Sequence, residues 1–316
     1  MRRALWPWLS WLAVVVLAAA FVFAGADWDF GYVIPKRLAR LSAMAIGGVC
    51  VALSSIVFQT LVGNRILTPA VMGYEAVHLL WQALWLWLTG AQGLAMLGLR
   101  GDFVASMLAM LAYSWVIHRW LLRGGLRDAY RMLLLGLVLT MVIGTFTQFV
   151  QLRISPGEFA VLQGLGQASF NRARPETLLY AATAVAAVCV LAGRTLPVLD
   201  VLALGREQAI SLGVSHARSV RRYLALIAIL AAVSTSLVGP TAFMGIFVAH
   251  IAYALAPDAR HRLTLPLGCA VAIALFIAAQ LLVEHAFNYR TTVGILVNLV
   301  GGTYFLALMM RTRGAR

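Results

Sequence analysis

Long apolar runs alternate with short polar connections along almost the whole chain. About ten of these runs approach the length of roughly 20 apolar residues that a helix needs to cross the hydrocarbon layer of a bilayer. The predicted spans are residues 9–23, 41–62, 70–88, 103–117, 132–150, 178–191, 223–237, 243–255, 265–283 and 293–310. The pattern is least regular between residues 89 and 117. It predicts one polytopic domain over residues 1–316, an all-α integral membrane fold with about ten transmembrane helices.

The composition supports a membrane protein and argues against a nucleic-acid partner. Hydrophobic residues make up 62% of the chain, charged residues make up 11%, and the mean hydropathy is +0.88. Soluble globular domains do not approach these values. The net charge is +14, but the basic residues occur singly or in small groups between apolar runs rather than on one polar face. The charge is therefore better explained by membrane topology.

The charged residues also predict which side of the membrane each connection faces. With the N-terminus inside, most Lys and Arg fall in cytoplasmic segments and most acidic residues fall in outer ones. This asymmetry predicts an even number of spans with both termini in the cytoplasm. Arg2, Arg3 and Ala24-Gly25-Ala26 around the first apolar run imitate a cleaved signal peptide. Because the run is longer than the core of a signal peptide, we favour an uncleaved first span.

The chain carries no signature of an enzyme or of a nucleotide site. Lys36 is its single lysine, and no glycine-rich stretch followed by Gly-Lys-Ser/Thr is present, so a phosphate-binding P-loop is excluded. No Ser-His-Asp set, HExxH motif or pair of acids on one face occurs. We therefore expect no catalytic residue, bound metal or cofactor. If the chain takes part in a process driven by ATP, another subunit must hydrolyse the ATP. Cys50, Cys189 and Cys269 lie in apolar runs, which predicts buried, unpaired side chains.

Residues 199–222 are the one long polar interruption late in the chain that is typical of folded structure, and we expect a partner to bind there. Asp200 is suited to cap a first short helix, Gly205 to end it in a left-handed conformation, and Gly213 to end a second. The apolar residues expected to pack on one side are Leu202, Leu204, Ile210, Leu212 and Val214, while Arg206, Glu207 and Gln208 face outwards. Flanking arginines place this helix pair in the cytoplasm, between spans six and seven. The alternative is a solvated connector that contains two glycines.

Two outer segments are candidates for contacts with other molecules. Arg37 and Arg40 lie three residues apart at the start of the second span. They are placed to pair with carboxylates of a docking protein or to anchor the helix among lipid headgroups. Residues 151–176 form the longest outer connection, either a polar mouth for an anionic ligand or binding protein, or a re-entrant connector. Its candidate contact residues are Arg153, Phe170, Arg172 and Arg174.

A break in helix geometry is predicted between spans two and three. Pro69 disfavours a helical residue before it, while Gly63 and Gly73 permit close backbone approach, and such breaks in a bundle often line a cavity. Glu75 and His78 follow in the third span, where a charged group is a functional candidate. They could form a proton relay. Alternatively, Glu75 lies near the inner interface just after the helix begins, where the macrodipole favours an acid.

A second turn is predicted late in the chain. Gly239 and Pro240 place a tight turn directly before a helix, in which Gly245 permits close helix contact. His250 is a weak metal-ligand candidate, because no other His, Cys or acid stands at metal spacing.

Together these segments make the chain similar to the permease subunits of ABC importers for iron-siderophores, haem and cobalamin, over nearly its whole length. Gly239-Pro240, Phe243, Gly245 and His250 resemble the family's G-P-I-x-F-V-G-L-I-V-P-H. Leu204-Gly205, Ala209 and Leu212-Gly213-Val214 resemble its coupling segment L-G-x-x-x-A-x-x-L-G-V. Gln59, Asn64, Pro69 and Gly73 match Q-x-x-x-x-N-P-L-A-x-P-x-x-L-G. Arg37-Leu38-x-Arg40 matches R-L-P-R, and Gly301 with Phe305 matches the final G-x-P-x-F.

Further strings narrow the resemblance, and some positions depart from it. RILTPAVMG, LQG followed by SFN, and FNYRTTVG resemble the branch that handles catecholate-type ferric siderophores. Four prolines of the family pattern are replaced here, by Ala39, Arg65, Ala249 and Thr303. These departures do not change the expected fold. They do mean that the exact loop geometry of the family is not carried over to this chain.

The resemblance implies a bacterial inner-membrane importer of two permeases and two ATPases, fed by a periplasmic or lipid-anchored substrate-binding protein. The second permease is a copy of this chain or a paralogue. The implied ATPase-coupling residues are Leu204, Gly205, Arg206, Glu207, Ala209, Leu212 and Gly213, within residues 199–218. The resemblance implies that Arg37 and Arg40 pair with acidic residues of the binding protein. Arg290 is added to this docking set because of its position in the chain alone. The pathway and structural motif positions are Gln59, Asn64, Pro69, Gly73, Gly239, Pro240, Gly245 and His250. A proton-coupled secondary transporter using Glu75 and His78 is the alternative function.

Overall fold

The computed structural model describes residues 6–24, 29–123 and 129–313, and that part of the chain is helical with no strand. The helices are α1 (Trp6–Phe23), α2 (Val33–Val62), α3 (Tyr74–Arg123), α4 (Ala129–Gln151), α5 (Pro156–Leu165), α6 (Pro175–Gly193), α7 (Leu196–Leu202), α8 (Arg206–Ser211), α9 (His216–Val238), α10 (Met244–Leu255), α11 (His261–Leu281) and α12 (Val293–Arg313). A 3₁₀ turn covers Pro69–Met72 and a π-helical turn covers Leu282–Ala286. Arg2, Arg3 and residues 25–26, on which the signal-peptide alternative depends, lie outside the described residues.

Seven helical stretches in the described ranges are long and apolar enough to cross a membrane. They are Trp6–Phe23, Val33–Val62, Met96–Ile117, Leu134–Gln151, Pro175–Gly193, His216–Val238 and His261–Ala286. Met244–Leu255 and Val293–Tyr304 are apolar but shorter. The all-helical membrane fold predicted from the sequence is therefore confirmed, while the number of ten spans stays a prediction.

Helix α3 is in fact two limbs that fold back on each other. Its backbone leaves helical geometry at Gly90 (φ 68°, ψ −178°) and Gly98 (φ 66°, ψ 169°). The Tyr74 hydroxyl lies 3.1 Å from the Ser114 hydroxyl, although 40 residues separate them. A straight helix would hold residues that far apart in sequence about 60 Å from each other. Residues 74–89 and 99–123 are thus antiparallel limbs, at the positions of two predicted spans.

The core is built around α2 and α9, which are buried over most of their length. Glycines on α2 let neighbouring helices approach closely: a Cβ on Gly47 would lie 2.6 Å from Val238 Cγ2, and one on Gly48 would lie 3.0 Å from Ile273 Cγ1. By contrast, α1, α4 and α6 leave most of their apolar surface uncovered. Apolar surface of that extent on the outer helices is suited to contact with lipid or with a second membrane subunit.

Candidate functional site

The predicted pair of short helices is present between α6 and α9. Helix α7 ends at Leu202, so the prediction that Gly205 ends it in a left-handed conformation is wrong: Gly205, at φ 100° and ψ 169°, is the residue from which α8 begins. Helix α8 ends at Ser211, two residues before Gly213 at φ 80°. The predicted cap at Asp200 is wrong, because Asp200 lies inside α7. Its Oδ1 instead accepts hydrogen bonds from the backbone N and the ring Nδ1 of His261, at 2.9 and 2.6 Å. Asp200 therefore caps the first turn of α11 across the fold and attaches the helix pair to the bundle.

The apolar residues of this segment divide into a buried and an exposed set. Leu199, Leu202 and Ala209 are buried beneath the helix pair. Leu204, Ile210 and Leu212 are 58%, 53% and 61% exposed. The expectation that these three pack on one side of the segment is wrong. We call this exposed set the apolar ridge, and Arg206, Glu207 and Gln208 beside it are exposed as predicted. An apolar patch with a polar rim is typical of an interaction site.

Two of the outer arginines are engaged within the chain. The Arg37 guanidinium donates to the carbonyl oxygens of Phe21 at 2.9 Å and Ala24 at 2.6 Å, so it covers the C-terminal end of α1. Arg40 pairs with Glu284 at 3.2 Å, and Glu284 also accepts from Gln280 Nε2 at 2.7 Å. The sequence did not predict these structural roles.

The third outer arginine, Arg290, is exposed. It follows Asn288 and Tyr289, whose φ values of 45° and 60° are left-handed. Burial raises the pKa of the Tyr289 hydroxyl above its ordinary value, and the negative charge of Glu284 acts in the same direction. Of Arg37, Arg40 and Arg290, Arg290 is thus the one most available to a partner from solution.

The predicted break between α2 and α3 is confirmed. Helix α2 ends at Gly63 with a φ of 67°, and the 3₁₀ turn that begins at Pro69 ends at Gly73 with a φ of 87°. The Tyr113 hydroxyl donates to the Met72 carbonyl at 2.9 Å. A Cβ on Gly73 would lie 2.6 Å from that hydroxyl, so the turn is held tightly against α3. Asn64, which precedes the turn, is exposed and its side chain accepts from the Ile66 backbone N at 3.0 Å.

This turn meets the turn that follows α9. The carboxylate of Glu75, in the first turn of α3, accepts a hydrogen bond from the Thr241 backbone N at 2.9 Å. A cavity of about 40 Å³ adjoins it, lined by hydroxyl-bearing residues that include Ser54 and Ser234. The cavity is large enough for a water molecule. Among the described residues no hydrogen bond joins Glu75 to His78, whose Nδ1 is buried without a partner. The contacts of Glu75 do not support a relay between the two.

Glycines in the second turn and in the first turn of α10 make close contacts between these segments. Gly239 has a φ of 101°, and a Cβ there would lie 3.1 Å from the Ala168 backbone. The next residue, Pro240, is half-buried and lies shortly before the start of α10. A Cβ on Gly245 would lie 2.1 Å from Ser55 Oγ and 3.0 Å from Thr68 Cγ2. The predicted close contact at Gly245 is confirmed.

Replacement of Gly245 by valine is expected to destabilise the protein by about 2 kcal/mol, since added atoms in a tightly packed contact force neighbours apart. Thermal unfolding of the purified full-length chain measures the effect as a lower melting temperature. Gly302→Val is the matched control, because a Cβ on Gly302 meets nothing within 4 Å. Equal melting temperatures for the two variants would contradict the packing described at Gly245.

A second cavity, of about 420 Å³, lies at the α7 end of the bundle. Gln59, Arg65, Asp200, Tyr253 and His261 are among its lining residues. Both amide atoms of Gln59 are buried without a hydrogen-bond partner in the described part of the chain. The Arg65 guanidinium lies 4.7 Å from the Tyr253 ring centroid. In the sequence, Arg65 was of interest only because the family pattern has a proline at this position. In the structure Arg65 places a positive charge at this cavity.

His250 packs against an aromatic ring rather than a metal-binding group. Its ring lies edge-on to Tyr304, with the centroids 5.9 Å apart. In the described ranges no group of three or more His, Cys, Asp or Glu is placed to hold a metal ion. The three cysteines are free, but Cys189 is exposed on α6, so the prediction that it is buried is wrong. The side chain of Phe305, which entered the sequence pattern, is outside the described part.

The long connection before α6 is a folded element rather than an open mouth. Ser155 and Glu158 form a capping box at the start of α5, and these hydrogen bonds hold the pKa of the Glu158 carboxyl below its ordinary value. The Arg172 guanidinium donates to the Gly164 and Leu165 carbonyls at 2.9 and 3.1 Å, which closes the end of α5. Phe170 is buried against Phe276.

The four predicted contact residues of the segment 151–176 do not share one surface. Arg153 and Arg174 are exposed, whereas Arg172 and Phe170 face inwards, contrary to the expectation that all four line a mouth.

Comparisons with known proteins identify a family along almost the whole chain. Residues 7–311 match the FecCD transport family. The chain is 31% identical over 300 residues to the petrobactin import system permease protein YclO of Bacillus subtilis (strain 168), covering 95% of each chain. It is 32% identical over 281 residues to the petrobactin import system permease protein FatC of Bacillus anthracis, covering 89% of this chain and 79% of that one.

The fold agrees with a solved membrane transporter. A structure described as an inward-facing conformation of a putative metal-chelate type ABC transporter superposes with a TM-score of 0.85 over 98% of this chain and 99% of that chain. The sequence identity to it is 18%, so this comparison concerns the fold alone.

Proposed function

Because the chain belongs to the FecCD transport family, we propose that it is the transmembrane permease subunit of an ABC importer for a ferric siderophore. We propose the catecholate type as the preferred cargo. Two relatives are named for import of petrobactin, which is a catecholate-type siderophore. The observation that carries the proposal is the apolar ridge, which Ile210 forms from α8 and Leu204 and Leu212 form from the turns after α7 and α8. It is an exposed surface on a segment that Asp200 attaches to the bundle.

In this proposal the ridge is the docking surface for a cytoplasmic ATPase subunit. The ATP is bound and hydrolysed by that subunit, and this chain binds no cofactor. The contact residues are Leu204, Gly205, Arg206, Glu207, Ala209, Leu212 and Gly213, with buried Ala209 serving as support rather than as surface. Apolar residues with a polar rim supply affinity at the centre and orientation at the edge of such an interface.

The segment is placed to pass movement of the ATPase into the bundle. Asp200, on α7, is hydrogen-bonded to His261 at the start of α11. The Tyr223 hydroxyl on α9 donates to the Thr195 carbonyl, just before α7, at 2.6 Å. A displacement of α7 and α8 is therefore transmitted to α9 and α11, since these contacts are short and join packed helices.

The translocation pathway in this proposal lies between this chain and a second permease, identical or paralogous. The two turns that meet at Glu75 and Thr241 would adjust as the bundle rocks. They contain Pro69, Gly73, Gly239 and Pro240, and Gly245 follows in the first turn of α10. Gln59 lines the cavity at the α7 end, Asn64 adjoins its lining residues Gly63 and Arg65 in sequence, and His250 lies on α10. Both termini would lie in the cytoplasm of a cell with this chain in its inner membrane.

On the outer side, a periplasmic or lipid-anchored binding protein would deliver the loaded siderophore. Arg290 is the first contact residue in this proposal because it is exposed. Arg37 and Arg40 would add further contacts to the binding protein, although each of them already has a partner within the chain.

Proteoliposomes that contain the permease with its ATPase subunit test the proposal. We expect uptake of a ferric catecholate siderophore to require both ATP on the ATPase side and the binding protein, and to persist when a protonophore collapses the proton gradient. Glu75→Gln should then retain ATP dependence. Uptake that needs the proton gradient, continues without ATP and is lost in Glu75→Gln would instead establish the secondary transporter with Glu75 and His78.

A further inference from the structure

A groove of about 470 Å³ lies between the second limb of α3 and helix α9. Two arginines line it, Arg119 from α3 and Arg221 from α9, and none of the lining residues in the described ranges, which omit 124–128, is acidic. Arg119 is four residues from the end of α3, and Arg221 is five residues after α9 begins. Both arginines therefore lie at the end of the bundle where α8 leads into α9, the side that the basic residues of the sequence mark as cytoplasmic.

The groove changes character along its length. The Arg119 guanidinium lies 5.6 Å from the ring centroid of Trp115, which is itself 63% exposed. Beyond this cationic and aromatic end, the lining is mostly apolar and is formed by Leu111, Ala225, Ala228 and Ile229, with the hydroxyl-bearing Ser114 beside them. Leu111 and Ile229 are each two helical turns from the arginine on the same helix, a distance of about 12 Å. The polar end thus lies at the membrane surface and the apolar end runs toward the middle of the bilayer.

We propose that this groove binds one anionic phospholipid of the cytoplasmic leaflet. The two guanidinium groups would contact the headgroup phosphate, and one acyl chain would lie on the apolar wall. Arginine pairs with phosphate oxygens through planar, charge-assisted hydrogen bonds, and basic pockets between helices on the cytoplasmic side suit anionic headgroups. Trp115 is the kind of side chain that lies at the interface between headgroups and acyl chains.

Charge complementarity selects a lipid over a protein partner. Among the described lining residues the two cations lie at one end of the groove and apolar side chains at the other, and a phospholipid has the matching order of charge and acyl chain over that length. A bound lipid would join α3 to α9, which directly follows the segment that carries the apolar ridge. Neither arginine is among the residues assigned to ATPase docking or to the pathway, so the inference can fail without affecting the proposed function.

Binding of dioleoylphosphatidylglycerol to the full-length chain in detergent, followed by native mass spectrometry, tests the proposal. Each arginine near an anionic lipid contributes about five-fold in affinity, so Arg119→Ala/Arg221→Ala should bind this lipid about 30-fold more weakly. Arg194→Ala/Arg222→Ala is the matched control, because it removes two exposed arginines of the same membrane side from outside the groove. The control should bind like the wild type, and dioleoylphosphatidylcholine should bind the wild type more weakly.

A second variant separates the acyl chain from the charge. Ala225 is exposed in the groove, so Ala225→Trp fills the apolar wall and leaves both arginines in place. We expect it also to lose phosphatidylglycerol binding. The proposal is overturned if Ala225→Trp and the Arg119/Arg221 variant bind the lipid like the wild type. It is overturned as well if inorganic phosphate displaces the lipid at millimolar concentration, since the site would then be one for soluble phosphate.

Discussion

Replacement of Leu204 and Leu212 by glutamate is expected to abolish ATP-driven uptake while the permease stays folded. Both side chains are more than half exposed on the apolar ridge, so the chain loses little of its own packing. At an interface with the ATPase, however, each leucine would be buried, and the two substitutions would place two charges against an apolar surface. Loss of two central apolar contacts weakens such an interface about 100-fold or more.

Co-purification of the ATPase with the tagged permease measures this effect, together with uptake in proteoliposomes. Leu263→Glu is the control: Leu263 is also exposed, lies in the first turn of α11 near the same end of the bundle, and is outside the coupling segment. An acid in the first helical turn is favoured by the macrodipole, so the control should remain folded and active. Normal uptake by the Leu204/Leu212 variant would show that the ATPase does not dock on the ridge.

Replacement of Arg40 by methionine is expected to lower the free energy of unfolding by about 2 kcal/mol. The side chain of Glu284 is only 6% exposed, and Arg40 is its cationic partner at 3.2 Å. Removal of one member of a largely buried pair leaves an uncompensated charge, which costs more than the pair itself contributes. The effect is below that of a fully buried pair because Arg40 is 26% exposed.

The double variant Arg40→Met/Glu284→Gln should recover most of this stability, because it removes the unpaired charge as well. Thermal unfolding in detergent gives the comparison, and the affinity for the loaded binding protein is measured on the same samples. Unchanged stability in Arg40→Met would contradict the structural role of the pair. A loss of affinity that persists in the restored double variant would assign Arg40 a docking role in addition.

Much of the architecture was predictable because its signals are local. Apolar length identified the membrane helices, and glycine with proline marked the turns at Pro69 and Gly239. The region that was least regular in sequence, residues 89–117, contains the fold-back of α3. The connection between Gly90 and Gly98 is largely apolar, so the sequence showed no polar loop there. The chain turns at these two glycines, whose backbone is not helical.

Two contacts that the sequence did not predict join residues far apart in the chain. Asp200 was expected to cap its own helix, but it caps α11 through His261, which is 61 residues away. Arg40 finds Glu284 at a separation of 244 residues. The rule that apolar residues face the core also failed at Leu204, Ile210 and Leu212. Apolar residues of an interaction surface are buried only when the partner protein is bound. The sequence of one chain does not show that partner, so it cannot predict which apolar residues stay exposed.

In the proposed function an ATPase drives this permease through α7 and α8. The most direct test is the ATPase rate of the co-purified complex in nanodiscs, with and without the binding protein loaded with ferric siderophore. We predict that loaded binding protein stimulates hydrolysis in the wild type and in Leu263→Glu but not in Leu204→Glu/Leu212→Glu. If no ATPase co-purifies and uptake proceeds equally in all three proteins, the chain is not driven through this segment and the account is wrong.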